Sequence, residues 1–508
     1  MHSIFILLLS FAFCFSTCKL ILNNPSDPTA EDFFETQVLR AFLLSDPCLN
    51  FQTWKRNYGT GTNKTTGSDL ILLSNGDYLV SGVTRQYIIP GSPTGVTNNF
   101  AGTNGTTLNT FLMRVSKDNG DIVWVDYLGE ASSENYYKPN LRKYSNGEIS
   151  VALIVTGASQ PSPLNAKSGI GVPALFVSRV REDGTRVWYT YLDSPSIGER
   201  VVSAMDATNR LHVFVEILAA NGHASFVDGP AILNSTLGGG SDTDTIHLAV
   251  NENGFMIFQR YLTSSGSDDV YGAEANGNGL FIIGNSTQNI DGTVSHPDVG
   301  LPVPFLIQPN ELDGTIIWSR YLGTNAEGGY GDPNRILLKD DQIFYLGAAR
   351  NSYGSRIVEP LVAAEGLYKH FLFSKYNTNG DFLWNSFLGS SSEGIVEFSD
   401  SRPMFLSSSQ VLFRAHSSTT TGRYNSVPNT FTDQATGGYP IANVFLNPFT
   451  GEFDRFDYQS NLASPTQEKT EVMREVCNGK LVRLNYTKFT TANFPENTQI
   501  SIENVTLP

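Results

Sequence analysis

Asp313-Gly314-Thr315-Ile316-Ile317-Trp318-Ser319-Arg320-Tyr321-Leu322-Gly323 reads as a turn, a strand carrying a tryptophan, and an aromatic-Leu-Gly tail. Asp118-Asn119-Gly120-Asp121-Ile122-Val123-Trp124-Val125-Asp126-Tyr127-Leu128-Gly129 repeats it. Working outward, the anchor position recurs at Trp54, Trp124, Trp188, Phe258, Trp318, Trp384 and, in degenerate form, Arg455, with spacings of 70, 64, 70, 60, 66 and 71. Repeats of this size built from strands close into a ring of blades.

Each repeat resolves into four strands, A to D from the channel outward. In the first, Ser68 to Leu73 leads through the hairpin turn Asn75-Gly76 to Tyr78 to Thr84, and after a long polar stretch come Thr110 to Ser116 and Ile122 to Leu128. The last three strands recur as Gly279 to Gly284, Phe305 to Gln308 and Thr315 to Leu322, and as Gln342 to Gly347, Phe371 to Tyr376 and Phe382 to Leu388. Short turns between antiparallel strands make a meander, the blade of a β-propeller. The Trp strand is then D, at the rim, where its ring packs against the next blade.

Composition agrees with an all-β chain. Of 508 residues 46 are Gly and only 16% are charged, which suits a turn-dense sheet protein. With 34 Lys and Arg against 49 Asp and Glu, the formal charge of −15 excludes a nucleic-acid partner, because the repeat offers no basic stripe to neutralise phosphates.

The amino terminus reads as an export signal over 1–17. Ser3 to Phe15 is an apolar run too short to span a bilayer, and only Met1 and His2 precede it. Residues 18–48 form an anchor segment with a helix at about 28–44. Asp27-Pro28 caps it, Glu31 and Asp32 suit its positive end, and Phe33, Phe34, Val38, Leu39, Phe42 and Leu43 make a stripe expected to pack on the ring.

Phe15-Ser16-Thr17-Cys18 resembles a bacterial lipoprotein cleavage box in a relaxed, spirochaete-type form, departing from the strict box in lacking the leading Leu and the small Gly or Ala before Cys. The resemblance implies lipidation of Cys18 and a membrane tether through acyl chains. Tyr261 to Gly272, with Gly279 to Ser286, Tyr321 to Gly331 and Phe387 to Gly394, resembles the bacterial seven-bladed β-propeller repeat family, and the likeness decays over about 50–508. It implies one ring over 49–508, with blades at about 59–128, 129–192, 193–262, 263–322, 323–388 and 389–459, and a last blade of 460–508 plus 50–58. Two rival likenesses are weaker. Quinoprotein repeats also end in Asp, Gly and Trp, but no cationic and aromatic cluster for a quinone accompanies them here, and relative to the sialidase Asp-box Trp124 comes one residue late.

Chemistry-bearing motifs are sparse. His2, His212, His223, His247, His296, His370 and His416 stand singly, without zinc-ligand spacing, and each reads as an ordinary strand or loop residue. No Gly-x-Ser-x-Gly elbow joins a strand to a helix, and Gly266-Ser267-Asp268-Asp269 reads as a repeat turn. Its acidic pair is a calcium candidate only if backbone carbonyls converge on it. No catalytic residue, cofactor or metal site is expected. Six Asn-x-Ser/Thr sequons such as Asn104-Gly105-Thr106 carry no meaning in a bacterial lipoprotein, whereas in a eukaryotic secreted protein they would mark exposed loops.

Length variation concentrates in the B-to-C links Arg85 to Asn109, Gly157 to Pro173, Leu218 to Asp244, Ser286 to Val303, Arg350 to Lys369 and Ser417 to Tyr439. In a meander these emerge on one face, so a protein or glycan ligand is expected there. The sequence-level function is an envelope-associated, lipid-anchored binding or interaction module. The alternative is a propeller hydrolase or lyase using a pocket on that face.

Two expectations concern closure. Phe51 to Tyr58 precedes any A strand, whereas the last repeat supplies Thr470 to Val476, Lys480 to Thr487 and about Gln499 to Val505 with no D strand, so the amino-terminal strand should complete the carboxy-terminal blade. Cys48 then precedes strand D of that blade and Cys477 sits in its A-to-B turn, both on the plain face. A and D lie roughly 14 Å apart across the blade, so the segment at Pro47 must cross its lower edge for a Cys48–Cys477 disulfide to form.

Overall fold

The computed structural model describes residues 51–507 apart from internal stretches, the longest being 99–107, 234–242, 324–334, 361–369 and 418–440. The expected signal segment, Cys18, the helix at 28–44 and Cys48 lie outside the described residues. Gln52–Pro508 forms one compact unit.

Among the described residues the strands form seven antiparallel sheets arranged as a ring of blades. Blade 1 comprises Thr65–Leu72, Tyr78–Thr84, Leu108–Val115 and Ile122–Ala131, adjacent in space in chain order. Blades 2 to 6 repeat that order, with innermost strands beginning at Asn140, Ile197, Asp268, Arg335 and Val396. In blade 6 Val396–Phe398 and Met404–Leu406 both pair with Gln410–Ser417, so its inner strand is split. Blade 7 takes Thr466–Cys477, Lys480–Thr491 and Phe494–Thr506 from the carboxy terminus and its outer strand, Trp54–Tyr58, from the amino terminus, with Trp54 opposite Asn504 and Tyr58 opposite Ile500. The ring closes as the unpaired strand counts require.

The middle strands are buried on both sides. Every residue of Tyr78–Thr84 and of Ile149–Val155 is buried. Such strands read as continuous apolar runs because neighbouring blades cover both faces. Outer strands alternate, as in Ile316–Tyr321, where only Ser319 is fully buried.

The recurrent turn–Trp motif is the lock between blades. Each anchor ring lies on the glycine of the next blade's C-to-D turn: Trp54 on Gly120, Trp124 on Gly184, Trp188 on Gly254, Phe258 on Gly314, Trp318 on Gly380 and Trp384 on Gly451. Gly184 has φ +89°, and a Cβ there would stand 3.1 Å from Trp124 Cδ2. Glycine is needed for both reasons, a left-handed backbone and a ring in the space of a side chain. The indole N–H donates to a carbonyl of the same turn: Trp54 to Lys117 O at 2.7 Å, Trp124 to Glu182 O at 3.2 Å, Trp188 to Glu252 O at 2.7 Å and Trp318 to Thr378 O at 3.2 Å. The lock of Trp54 on blade 1 is the same as those inside the chain, so the closing junction is built like the rest.

At four junctions the residue paired with the anchor on the neighbouring C strand adds a second strut to that turn, whereas Gln308, paired with Trp318, donates to Asn278 O of its own blade. Arg114 donates to Glu182 O, Arg179 to Glu252 O, Lys375 to Pro448 O and Asn504 to Lys117 O. Arg114 and Arg179 also grip acids beside their own A-to-B turns, Asp77 at 2.7 Å and Glu148. Each arginine therefore ties its blade to the next.

The long B-to-C links do not all remain on their face. Leu164 N donates to Tyr189 O, and Leu233 N to Gln259 O, both on outer strands. Ile89 N and Ile290 N reach the hydroxyls of Tyr127 and Tyr321. In blade 5, Ile357–Glu359 becomes a fifth strand, parallel to Phe382–Leu388. These portions run down the outer wall and satisfy strand edges that would otherwise invite pairing with another chain.

Candidate functional site

The inner strands present unpaired backbone groups to the channel, and these need partners. Arg142, on the inner strand of blade 2, supplies several. Its Nε donates to Ser203 O of blade 3 at 2.7 Å and its Nη2 to Ala273 O of blade 4 at 3.4 Å. The same guanidinium lies 3.6 Å from Asp69 of blade 1 and 3.8 Å from Glu274 of blade 4. Asp69 is fully buried, accepts from Leu70 N and Leu141 N, and meets Arg474 of blade 7 at 3.5 Å. Charges in this part of the channel are thus consumed by one another, across four blades.

Nearer the loop-rich face the geometry changes. Inner strands carry bulges between Gly67 and Asp69, Ile197 and Val201, Val270 and Gly272, and Thr470 and Val472. A bulge re-aims the side chain of its extra residue, and bulges concentrate beside functional sites. Arg200 and Tyr271 are such residues, on the adjacent inner strands of blades 3 and 4. The Arg200 guanidinium stands 4.2 Å over the Tyr271 ring and 3.3 Å from Asp269. Thr243 Oγ1 and the Tyr271 hydroxyl also reach Asp269, at 3.3 and 3.4 Å. The side chains of Arg200 and Asp269 are 22% and 23% exposed, which leaves an aromatic ring, a cation, a carboxylate and a hydroxyl within reach of a ligand.

The acidic pair Asp268-Asp269, expected in a turn, instead begins the inner strand of blade 4, and Asp269 belongs to this group. Asp268 is fully buried and Asp269 is held by Arg200. Among the described residues no group of three or more His, Cys, Asp or Glu is placed to hold a metal ion.

The single-residue reading of the histidines fails for two of them. His212 Nδ1 lies 3.0 Å from His247 Nε2, and His212 Nε2 lies 3.2 Å from Asp206 Oδ2. Sequence spacing missed the pair because strands B and C of blade 3 face His212 and His247 to each other across 35 residues. Both are buried; Phe214 stacks on His247 at 4.4 Å and Phe258 meets it edge-on at 4.9 Å. Burial, then the charges of His212 and Arg260, push His247 well below the usual imidazole range. Burial works against the Asp206 carboxylate, but hydrogen bonds from His212, the Arg210 backbone and Thr208 outweigh it and hold its carboxyl well below the usual range. His296 packs edge-on against Tyr321 and its Nε2 meets Ser286 O, a structural role.

Cys477 ends the inner strand of blade 7 and is disulfide-bonded. Of the sequon asparagines, Asn285, Asn485 and Asn504 are buried, whereas Asn63 is exposed.

No family model matches the chain, and no curated protein matches it in sequence. Among solved structures, a protein of unknown function from Dyadobacter fermentans is 10% identical, covering 89% of this chain and 99% of its own, with a TM-score of 0.42. The quinohemoprotein alcohol dehydrogenase of Comamonas testosteroni is 9% identical over 89% of this chain and 76% of its own, with a TM-score of 0.42. The β-propeller domain of the trilobed protease from Pyrococcus furiosus is 9% identical over 88% and 98%, with a TM-score of 0.38. At this level of likeness the fold rests on the strand pairing of the chain itself.

Proposed function

We propose that this propeller is a lipid-anchored binding module of the cell envelope, which takes a protein or glycan ligand at its loop-rich face around Arg200, Tyr271, Asp269 and Thr243. The observation that carries this reading is the bulge pair: two adjacent inner strands break their register to present Arg200 and Tyr271 together, partly exposed. An aromatic face beside a guanidinium and a carboxylate suits recognition of a polar, hydroxyl-rich surface by stacking and charge-assisted hydrogen bonds. A hydrolase or lyase needs an accessible acid and base poised near the working pH. The histidines that meet are instead sealed between strands, and Asp269 is committed to Arg200.

The test is a binding screen of the full-length protein against an array of envelope glycans and immobilised envelope proteins, with product analysis on each hit. Saturable binding without turnover, weakened at least tenfold in Tyr271→Ala, is the expected result. Cleavage of a bound glycan, or a hit indifferent to both Tyr271→Ala and Arg200→Ala, would overturn it.

A further inference from the structure

The junction between blades 3 and 4 departs from its neighbours in a correlated way. Its anchor is Phe258, which has no indole N–H, and the residue beside it on strand C is Ala249, which has no polar side chain, in place of Arg114, Arg179, Lys375 or Asn504. Both donors that reach the next blade's turn in the pairs Trp54 and Asn504, Trp124 and Arg114, and Trp188 and Arg179 are therefore missing. Their place is taken by the chain Asp206–His212–His247, which starts at the A-to-B turn, where Asp77 and Glu148 receive an arginine in blades 1 and 2, and ends against Gly314 of the blade 4 turn. A strut of permanent charge is replaced by one that titrates.

The hydrogen bonds fix the protons. A carboxylate only accepts, so His212 Nε2 carries hydrogen towards Asp206; His212 Nδ1 then accepts, and His247 Nε2 carries hydrogen towards it. His247 Nδ1 is left as a bare lone pair, buried and with no hydrogen-bond partner among the described residues. A Cβ on Gly314 would stand 2.9 Å from it, so the turn backbone covers it. A proton arriving there, or one that reverses the chain from the Asp206 end, would create an N–H aimed at that turn without an acceptor, beside Arg260. An orphaned buried donor of this kind is costly.

The geometry points to an acid-sensitive latch: on proton uptake by the His212–His247 pair the junction between blades 3 and 4 opens locally, while the junctions locked by Trp and Arg stay closed. The groups facing the pair are Asp206 and Arg210 from the A-to-B turn, Arg260 from the outer strand, and Glu311 and Asp313 from the blade 4 turn.

His247 in the closed junction refuses a proton that it takes at about pH 6.5 once exposed, so closure is fully favoured above that pH and weakens as pH falls below it. Asp206, held low, keeps its charge through this window. Glu311 acts in the opposite direction: burial, then Asp206, raise its carboxyl, so the closed junction takes up that proton more readily than the open one and acid favours closure through it.

Hydrogen exchange of the intact protein at pH 7.5 and 5.5, corrected for intrinsic rates, tests the latch. Peptides covering 206–216, 244–262 and 309–318 should lose protection about tenfold, the effect of one excluded proton one unit below pH 6.5. Peptides covering 112–127 and 176–191 should keep theirs. His247→Phe should flatten the loss, and Glu311→Gln, which removes the opposing proton, should steepen it. Unchanged protection in the wild type, or equal loss at all junctions, would overturn the latch even if His247→Phe failed to fold, and so would a Glu311→Gln profile no steeper than wild type.

Discussion

Two glycines of blade 2 offer a direct measurement of what the anchor tryptophan contributes. Gly147, in the A-to-B turn, has φ +88° and Gly184, in the C-to-D turn, has φ +89°, so alanine meets the same backbone penalty at both, about 1 kcal/mol. Their surroundings differ. The nearest atom to a Cβ at Gly147 is the flexible Lys143 Cε at 3.9 Å, whereas at Gly184 the Trp124 ring presents atoms at 3.1, 3.2 and 3.4 Å. To make room, Trp124 must retreat by a few tenths of an ångström, and its N–H bond to Glu182 O is already 3.2 Å long. Overpacking costs about 1–3 kcal/mol and the loss of that bond adds about 1 kcal/mol. Gly147→Ala should therefore destabilise by about 1 kcal/mol and Gly184→Ala by about 3–5 kcal/mol. Denaturant unfolding followed by circular dichroism reads both midpoints. Equal losses, or a larger loss at Gly147, would refute the view that the turn glycines exist to receive the anchor ring.

Arg142→Met removes the guanidinium that joins four blades and leaves the buried Asp69 with Arg474 at 3.5 Å, so a loss of about 3 kcal/mol is expected in the same assay. Arg181→Met, which breaks the more exposed pair with Glu148, should cost less than about 1 kcal/mol. Cys477 is disulfide-bonded, and we propose Cys48 as its partner. Non-reducing peptide mapping should recover a crosslinked Cys48–Cys477 peptide, and both residues as free thiols would end the proposal. If Cys18 bears the lipid, Cys18→Ser should move the protein from the detergent to the aqueous phase in a partition assay, and continued detergent partition would exclude that anchor.

The ring and its closure were legible because they depend on properties the sequence writes locally. Turn residues at fixed offsets, a Trp at a repeating position and runs such as Tyr78–Thr84 each report their own surroundings, and counting strands left only one partner for Trp54–Tyr58. The candidate site was not legible. Arg200 and Tyr271 meet because two inner strands are bulged, and a bulge leaves no mark in the sequence of a strand of nine residues. Asp69 and Arg142 lie 73 residues apart and meet only where the inner strands of neighbouring blades lie side by side. The B-to-C links show a different limit: their length marked them as variable, but whether a link rises from a face or descends the outer wall depends on single contacts such as Leu233 N to Gln259 O.

The histidine strut lies between these cases, because the repeat itself contained the clue. Aligning the blades on their anchors brings Arg114, Arg179, Ala249, Gln308, Lys375, Phe445 and Asn504 into one column, opposite Trp124, Trp188, Phe258, Trp318, Trp384, Arg455 and Trp54. In blade 3 both columns lose their donor together, and the carboxylate of the A-to-B turn is Asp206, at the opposite end of that turn from the positions of Asp77 and Glu148. Asp206 already accepts from Thr208 and Arg210 of its own turn, and His212 extends that network to His247 on strand C. His212 and His247 are the residues of that blade able to bridge the gap, one strand apart. Replacing arginine, charged at every relevant pH, with imidazole leaves the lock intact in neutral solution and changes the condition under which it holds.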